Sequence, residues 1–531
     1  MKPKYHTLFL ILAALCGLVI LTPQINFQSA ISVGDHGLNF YTFQRVAHGD
    51  KLYQDFWWGY GPLSPHYYAF FYKFVGETMS SVILGRMLLI FLSGIFCYLT
   101  VASFAPPLLA LAASLWFWLY NPDFFYSYNH TGAFTAFLAL SYFIFSYYKN
   151  GRSRYIVYSL ITLFLLNLIR INIGLALLIG FIVAIFMADK YIHRKNQKEN
   201  LIRNMLAGLG ICLLSGLIYW FMLKGLPSYA ISQCMPYFSK TYHNVSSSEK
   251  YIMYFKFLFY IIGQSSRYVM AFTIVIAAII LTTRELIKST DQKVKTDMFF
   301  ALGTISGLII LVAHEFIMGY QLYRVNWTIP YQIVLFCLII GFAVKKYNSK
   351  IQYSVIVFIL FVALFDSGRY LYRLHNKFKV PGQFLTLKNA KIYVGNERAW
   401  IKTVEQTTNY LNEVLKDDET FFAVPYEPLY YFLTNRKSPT WHVLFMVGTE
   451  LNAIQEQQMI EILKNKKIRY VLLSNRYRSK EADMGELGVT HLKELAKYIN
   501  ENFQTEVTFG SWDAAPGWNF NHGLKILKRI E

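Results

Sequence analysis

The chain has 531 residues, of which 55% are hydrophobic and only 15% are charged. A single soluble core of this length does not require so much apolar surface, so the composition favours a membrane protein. The formal net charge of +20 would suit a nucleic acid partner, but the basic residues gather in short stretches between apolar blocks, which argues against that class of function.

Apolar blocks of membrane-crossing length recur from Leu8 to about Phe365. A hydrocarbon core about 30 Å thick needs about 20 residues of helix, so we predict a polytopic α-helical membrane protein with about eleven transmembrane helices. The predicted spans are residues 7–23, 81–99, 102–120, 131–148, 155–169, 172–188, 205–223, 262–283, 298–317, 330–344 and 351–366. The first resembles a signal peptide but lacks a small-residue cleavage site, so we assign it as a membrane helix.

Basic residues occupy every second loop of this serpentine. They are Lys2, Lys4, Lys149, Arg152, Arg154, Lys190, Arg194, Lys195, Lys198, Arg203, Arg284, Lys288, Lys293, Lys295, Lys345, Lys346 and Lys350. The positive-inside rule places these loops in the cytoplasm, and an odd number of crossings then places the C-terminal region outside. We therefore predict a multi-pass protein of the bacterial inner membrane, in contact with membrane lipid and with no nucleic acid partner.

The first outer loop, residues 24–80, is too long for a simple turn. Long ordered loops are often functional. The loop is also dense in aromatic residues, which suit amphipathic helices at the level of the lipid headgroups. These residues are Phe40, Tyr41, Phe43, Tyr53, Phe56, Trp57, Trp58, Tyr60, Tyr67 and Tyr68. An interfacial anchor and a functional loop are both open interpretations.

The chain changes character after Asp366. Segments rich in β-branched and aromatic residues predict strands at 391–395, 421–425, 468–474, 506–512 and 524–528, and helices are predicted at 398–415, 452–464 and 492–503. Such alternation is typical of a small, partly parallel α/β domain. We therefore divide the chain into a membrane domain, residues 1–366, and a soluble extracytoplasmic domain, residues 367–531.

Two carboxylates are predicted at the outer side of the membrane. Asp35 lies in a glycine-flanked turn after the first span, and Asp123 lies at the outer end of the third. If they converge, one could act as a general base and the other as a ligand of metal or substrate. Asp123 is equally well explained as a helix N-cap or turn residue. Asp123 and His130 are weak metal candidates, so the cofactor is unknown, with a divalent metal ion left open.

The order of these features resembles the GT-C membrane glycosyltransferases, above all the branch of protein mannosyltransferases and lipid A aminoarabinose transferases. The resemblance begins with the acidic turn at Asp35 and extends over most of the chain. The other segments that carry it are 53–56, 61–63, Gly76, Arg86, Arg170, 421–425, 430–431 and 434–436. His36 stands where a second acidic residue often follows the first in the mannosyltransferases.

The resemblance implies an inverting hexosyl- or pentosyltransferase that takes a sugar from a polyprenyl-phosphate donor. The acceptor would be a glycan, lipid or protein outside the cytoplasm. Asp35 would be the general base and Asp123 a second catalytic carboxylate. Three further residues, His36, Asp55 and Tyr60, would bind substrate.

Stabilisation of the departing lipid phosphate calls for cations near the outer surface. Arg170 is the first candidate, because an arginine at membrane depth is costly unless it has a partner and so favours a functional interpretation. Arg86 and Arg324 are weaker candidates, since each is about as well explained by snorkelling to the lipid headgroups.

The main alternative is a polytopic transporter or flippase of a lipid-linked or small polar substrate. Transporters often show two related halves with helices broken at matching places, and neither feature is evident. A polysaccharide polymerase or ligase would share the lipid-linked donor but usually relies on arginines and histidines of outer loops. The acidic turn at Asp35 argues against that enzyme class.

Overall fold

The computed structural model is mainly helical up to residue 378 and ends in a small α/β region. It describes residues 3–23, 34–124, 128–193, 197–234, 291–317, 329–344, 349–378, 384–393, 398–446, 451–478, 485–514 and 522–531. The helices of the membrane region are α1 (Pro3–Leu21), α2 (Asp35–Ala47), α3 (Leu63–Val75), α4 (Met79–Ala102), α5 (Pro107–Phe124), α6 (Tyr128–Asn150), α7 (Arg154–Ile169), α8 (Ile171–Ala188), α9 (Gln197–Leu223), α10 (Ser228–Cys234), α11 (Gln292–Ile317), α12 (Ile329–Val344) and α13 (Ser349–Phe378).

The predicted membrane spans coincide with helices wherever the structure describes them. Within the described residues, five helices are long and apolar enough to cross a bilayer: Met79–Ala102, Ile171–Tyr191, Gln197–Leu223, Gln292–Val312 and Lys350–Asn376. Shorter apolar helices cover His6–Leu21, Pro107–Leu119, Arg154–Ile169 and Tyr331–Val344. The predicted span 262–283 lies outside the described residues.

Helix α4 packs against α1, α5 and α6 and so lies inside the bundle. Gly94 of α4 allows the closest approach, because a Cβ atom there would overlap the indole of Trp118 on α5. The Trp118 indole N–H donates to the carbonyl of Ile90 at 3.2 Å, and the Ser114 hydroxyl donates to the carbonyl of Gly94 at 3.0 Å. The polar groups of this apolar contact are thereby satisfied between the two helices.

The two ends of the bundle differ in charge. At one end, the Lys149 ammonium on α6 lies 3.0 Å from the Asp297 carboxylate on α11. The Tyr147 hydroxyl at this end donates to Asp189 at 2.6 Å. Among the described residues, the basic side chains at 149–154, 190, 198 and 293–295 lie at this end, where α6, α8 and α11 begin or end. The C-terminal region packs at the opposite end.

The C-terminal region contains two sheets and the three predicted helices. The elements are β1 (Phe384–Leu387), β2 (Ala390–Tyr393), α14 (Arg398–Val414), β3 (Phe422–Val424), α15 (Leu429–Leu433), α16 (Ala453–Asn465), β4 (Tyr470–Ser474), α17 (Lys493–Asn502), β5 (Phe503–Gly510) and β6 (Gly523–Arg529). Strands β1 and β2 form a hairpin, and the larger sheet has the order β3-β4-β6-β5. Strands β3 and β4 are parallel and the other neighbours are antiparallel. The predicted partly parallel α/β architecture is confirmed, although β1 and α15 were not predicted.

The predicted division between residues 366 and 367 falls inside a helix. Helix α13 continues through Asp366 to Phe378. The apolar run ends at Phe365, but the residues that follow keep the helical conformation without being apolar. Loss of hydropathy therefore marks the end of the membrane-compatible stretch and not the end of the element.

The first outer loop docks on the C-terminal region through α2. Gly37 faces α15, where a Cβ atom would come within 2.6 Å of the backbone nitrogen of Leu429. The Gln44 amide donates to the carbonyl of Phe432 at 3.4 Å and to the Asn435 side chain at 3.2 Å. Only glycine at position 37 permits this distance between the two backbones.

An ion cluster closes the same interface. The guanidinium of Arg45 pairs with the carboxylate of Asp50, and the Lys437 ammonium approaches the other carboxylate oxygen at 2.8 Å. Although burial alone would raise it, the hydrogen bonds from Lys437 and Arg45 lower the pKa of Asp50 below its ordinary value. Asp50 is therefore ionised at neutral pH and links the loop to the C-terminal region.

Most aromatic residues of the loop are buried in protein, so their interpretation as a headgroup-level anchor is wrong. The buried ones are Phe40, Tyr41, Phe43, Tyr53, Phe56, Trp57, Trp58 and Tyr68. They pack on one another, as in the stacked pair Phe43–Tyr68, whose ring centroids lie 4.7 Å apart. Composition alone could not separate lipid contact from a protein interface, because both favour aromatic side chains.

We expect Gly37→Ala to destabilise the protein by about 1–3 kcal/mol, since the added methyl overlaps the Leu429 backbone. Thermal unfolding of the purified protein in detergent measures the effect. Gly216→Ala on the exposed part of α9 is the matched control, because a Cβ atom there meets no atom within 4 Å. Equal melting temperatures for the two variants would contradict the close contact between α2 and α15.

Candidate active site

Asp35 is the first residue of α2, immediately after the turn at Gly34. Its half-buried carboxylate accepts a hydrogen bond from the Tyr426 hydroxyl of the C-terminal region at 2.6 Å. The sequence predicted an open turn, but the carboxylate lies at a helix N-terminus, where free backbone N–H groups favour negative charge. Asp35 is thus an ionisable group at the boundary between loop and C-terminal region.

Gly34 allows the C-terminal region to reach Asp35. A Cβ atom at position 34 would come within 2.5 Å of the Tyr426 ring and 3.1 Å of Nη1 of Arg476. The Arg476 guanidinium carbon lies 5.6 Å from the centroid of the Tyr426 ring. One arginine and one tyrosine of the C-terminal region therefore lie against the Gly34–Asp35 turn.

Arg170 lies at the break between α7 and α8, in an extended conformation with φ −149° and ψ 98°. The side chain is buried. Its Nη1 atom lies 2.9 Å from Nε2 of His130 and 3.5 Å from Oδ1 of Asn129, and its guanidinium carbon lies 5.2 Å from the centroid of the Tyr60 ring. The buried cation is thus held by polar and aromatic partners, as its position at membrane depth requires.

His130 is occupied by this arrangement. A guanidinium can only donate, so Nε2 of His130 must accept the hydrogen bond from Arg170 with its lone pair. That nitrogen is therefore occupied in this structure, and the assignment of His130 as a weak metal candidate stays a prediction. Among the residues that the structure describes, no group of three His, Cys, Asp or Glu side chains is placed to hold a metal ion.

Gly61 packs closely against the C-terminal end of α7, next to Arg170. Its backbone N–H donates to the carbonyl of Ile169 at 3.1 Å, and a Cβ atom at this position would overlap the carbonyl of Leu168. The ring centroid of the preceding residue, Tyr60, lies 5.2 Å from the guanidinium carbon of Arg170.

Arg86 and His36 both contact the ring of Tyr128. The buried Arg86 guanidinium lies 5.0 Å from the centroid of the Tyr128 ring, and the His36 ring packs edge-on against the same tyrosine at 5.9 Å. The Tyr68 hydroxyl donates to the backbone carbonyl of Tyr128 at 3.1 Å. Tyr128 therefore places a second buried arginine next to the residue that follows Asp35.

Asp55 is not brought into this arrangement, and the side chains of two other predicted site residues lie outside the described part of the structure. Asp55 is exposed and accepts from the backbone N–H of Lys51 at 2.7 Å, which closes a local turn. Asp123 lies in the last turn of α5, so its interpretation as a helix N-cap is wrong, and its side chain is outside the described part of the structure. Arg324 also lies outside the described residues.

Sequence reasoning missed the contribution of the C-terminal region. Tyr426 and Glu427 follow β3, and Arg476 follows β4, the parallel neighbour of β3. Residues just beyond the carboxyl ends of adjacent parallel strands share one edge of a sheet, which is a frequent position for functional side chains. The two strands were predicted, so their pairing is the signal that could have identified these residues.

Glu427 is buried behind Tyr426. Burial raises the pKa of its carboxyl to about 7, and the Arg476 guanidinium opposes the shift only in part. Burial and the same guanidinium lower the pKa of His522 to about 3. The C-terminal side of the site therefore combines a cation with a carboxyl that titrates near neutral pH.

These elements define a polytopic membrane protein with a polar site at one end of its helix bundle. No protein-family profile matches the chain, and no curated protein matches its sequence. Two structures of ArnT from Cupriavidus metallidurans are similar to it, each with a TM-score of 0.55. The alignment with the apo structure has 13% sequence identity and covers 98% of each chain. The alignment with the structure bound to undecaprenyl phosphate has 12% identity and covers 99% of this chain and 98% of the ArnT chain.

The apo oligosaccharyltransferase of Archaeoglobus fulgidus is also similar, at 11% identity and a TM-score of 0.52, over 90% of this chain and 70% of that one. At such identities the likeness defines the fold. The chain has the fold of the GT-C membrane glycosyltransferases, as its sequence predicted.

The raised pKa of Glu427 predicts a pH-dependent stability difference. Ionisation is costly in the folded state, so the stability of the wild type falls as pH rises from about 4.5 to about 7, and the loss is complete above that range. Glu427→Gln removes this ionisation. The stability of the variant relative to the wild type should therefore rise between pH 5 and pH 8, by on the order of 3 kcal/mol.

Melting curves of both proteins at the two pH values measure this change. The titration of His522 is common to both proteins and cancels in the difference. A stability difference that does not vary with pH would contradict the assignment.

Proposed function

We propose that the protein is a glycosyltransferase that moves a sugar from a polyprenyl-phosphate donor to an acceptor hydroxyl on the extracytoplasmic side. The observation that carries the proposal is that Asp35, at the N-terminus of α2, and the buried Arg170, at the N-terminus of α8, lie at the end of the helix bundle on which the C-terminal region packs. A carboxylate and a buried guanidinium are the two charges that transfer from a lipid phosphate requires.

Asp35 acts as the general base. Its carboxylate removes the proton of the acceptor hydroxyl while the acceptor oxygen forms a bond to the anomeric carbon. The bond from that carbon to the phosphate oxygen breaks on the opposite face, so the configuration inverts and the electron pair leaves with the lipid phosphate. The sugar is thereby transferred without a covalent enzyme intermediate.

Arg170 neutralises the charge that develops on the departing phosphate. It lies at the N-terminus of α8, whose first backbone N–H groups add to the positive potential. Arg86, whose guanidinium lies against the ring of Tyr128, is proposed as a second cation, and Arg324 is assigned the same role from the sequence. Tyr60 and His36 are proposed to bind substrate, and Asp123 is retained as a second carboxylate.

The side of the membrane determines the donor. The basic ends of α6, α8 and α11 favour a cytoplasmic location, which supports an extracytoplasmic location for Asp35 and the C-terminal region at the opposite end. A nucleotide sugar made in the cytoplasm would not reach that side, which favours a lipid-linked donor. The structure of ArnT bound to undecaprenyl phosphate supports this donor class.

Asp35→Asn should lower sugar transfer at least about 100-fold, because the amide cannot accept the acceptor proton. The assay incubates purified protein with a panel of undecaprenyl-phosphate sugars and acceptors and follows release of undecaprenyl phosphate. Asp417→Asn, an exposed position before β3, is the control with the same chemical change. Full activity of the Asp35 variant would refute the assignment of the base, and substrate flux in proteoliposomes without donor consumption would indicate a transporter.

Arg170→Ala should weaken binding of undecaprenyl phosphate about tenfold or more, since charge-assisted hydrogen bonds to phosphate are lost. Ligand-dependent shifts of the melting temperature measure the affinity. Undecaprenol, which lacks the phosphate, should bind the variant and the wild type equally. Arg152→Ala, an exposed arginine at the opposite end of the bundle, should leave both affinities unchanged. Undiminished phosphate affinity in a folded Arg170 variant would contradict the proposed role.

A further inference from the structure

We infer that Tyr426 of the C-terminal region is a positioning residue for Asp35, so that this region completes the active site. The inference rests on the proposed function for the role of Asp35, whereas the contact itself does not depend on it. The Tyr426 hydroxyl donates to Oδ1 of Asp35 at 2.6 Å, across 391 positions of the chain. No substrate or cofactor is needed to bring the two groups together.

The direction of this hydrogen bond is fixed by charge. Burial and the adjacent Asp35 carboxylate raise the pKa of Tyr426 well above its ordinary value, so the phenol stays protonated. A protonated phenol can donate to a carboxylate, and such charge-assisted bonds are short and directional. Tyr426 therefore holds Oδ1 of Asp35 and fixes the orientation of the carboxylate.

Tyr426 is itself held by its surroundings. The Arg476 guanidinium lies over its ring at 5.6 Å, and Gly34 lies against the ring edge. Both Tyr426 and Arg476 follow the carboxyl ends of the parallel strands β3 and β4. Because two strands of one sheet set their positions, the hydroxyl is placed by the sheet and not by a free loop.

This arrangement has two consequences for a general base. A hydrogen bond to the charged form stabilises the carboxylate and lowers its basicity, and it also restricts the side chain to one orientation. Loss of the phenol hydroxyl should therefore raise the pKa of Asp35 and lower kcat more than it changes KM for the lipid donor. A residue needed only for folding would not produce a shift of the Asp35 pKa that is absent from a comparably buried control.

The test is a titration of Asp35 in Tyr426→Phe. Full-length protein labelled with carbon-13 at the aspartate carboxyl is reconstituted in lipid nanodiscs, and the Asp35 signal is assigned by its absence in Asp35→Asn. We expect the titration midpoint of Asp35 to rise by about one pH unit in Tyr426→Phe. An unchanged midpoint would overturn the inference.

Tyr431→Phe is the matched control. Tyr431 is buried in the same segment, and its hydroxyl donates to the carbonyl of Phe421 at 3.2 Å and accepts from the backbone N–H of Ala423 at 2.9 Å. This variant loses comparable hydrogen bonds but should leave the midpoint of Asp35 unchanged. An equal shift in both phenylalanine variants would show a general loosening of the domain and would count against a specific role for Tyr426.

A second substitution covers the case in which Tyr426→Phe does not fold. Incorporation of a trifluorinated tyrosine at position 426 keeps the ring and makes the hydroxyl a stronger donor, so the midpoint should move to lower pH. An Asp35 midpoint that stays unchanged in this variant would overturn the inference.

The titration needs no sugar donor, so its outcome is separate from that of the activity assay. If Asp35→Asn is active, the assignment of Asp35 as the base is refuted. If Asp35→Asn is inactive but the Asp35 midpoint is unchanged in Tyr426→Phe, only the positioning role of Tyr426 is refuted.

Discussion

The contact between α2 and α15 is the constraint on which the rest of the site depends. Gly37 lets the two backbones meet at Leu429, and the cluster of Arg45, Asp50 and Lys437 closes the interface further along α2. This docking sets the N-terminus of α2 against the carboxyl edge of the β3–β4 sheet. The position of the Asp35 carboxylate is therefore a property of two distant parts of the chain.

The buried cations follow a common pattern. Arg170 is surrounded by His130, Asn129 and Tyr60, and Arg86 lies over the ring of Tyr128. A desolvated guanidinium is tolerated only with such hydrogen-bonding and aromatic partners.

The sequence predicted those features that depend on local composition. The length of the apolar blocks identified the membrane spans, and the alternation of strand-like and helix-like segments identified the elements of the C-terminal region. The cost of burying a charged side chain at membrane depth pointed to Arg170. Features that depend on tertiary contact were missed or misjudged. The loop aromatics are buried instead of lying at the membrane surface, Asp55 closes an exposed turn, and Tyr426 and Arg476 meet only because β3 pairs with β4.

The separation of 391 positions between Asp35 and Tyr426 has a consequence for biosynthesis. The ribosome completes α2 and its aromatic face long before β3 and α15 have been made. Contacts between residues so distant along the chain form late, and unpaired apolar surface exposed in the interval favours misassembly. The nascent protein therefore has to keep the aromatic surface of this loop protected, by the membrane surface or by a chaperone, until the last third of the chain has been synthesised.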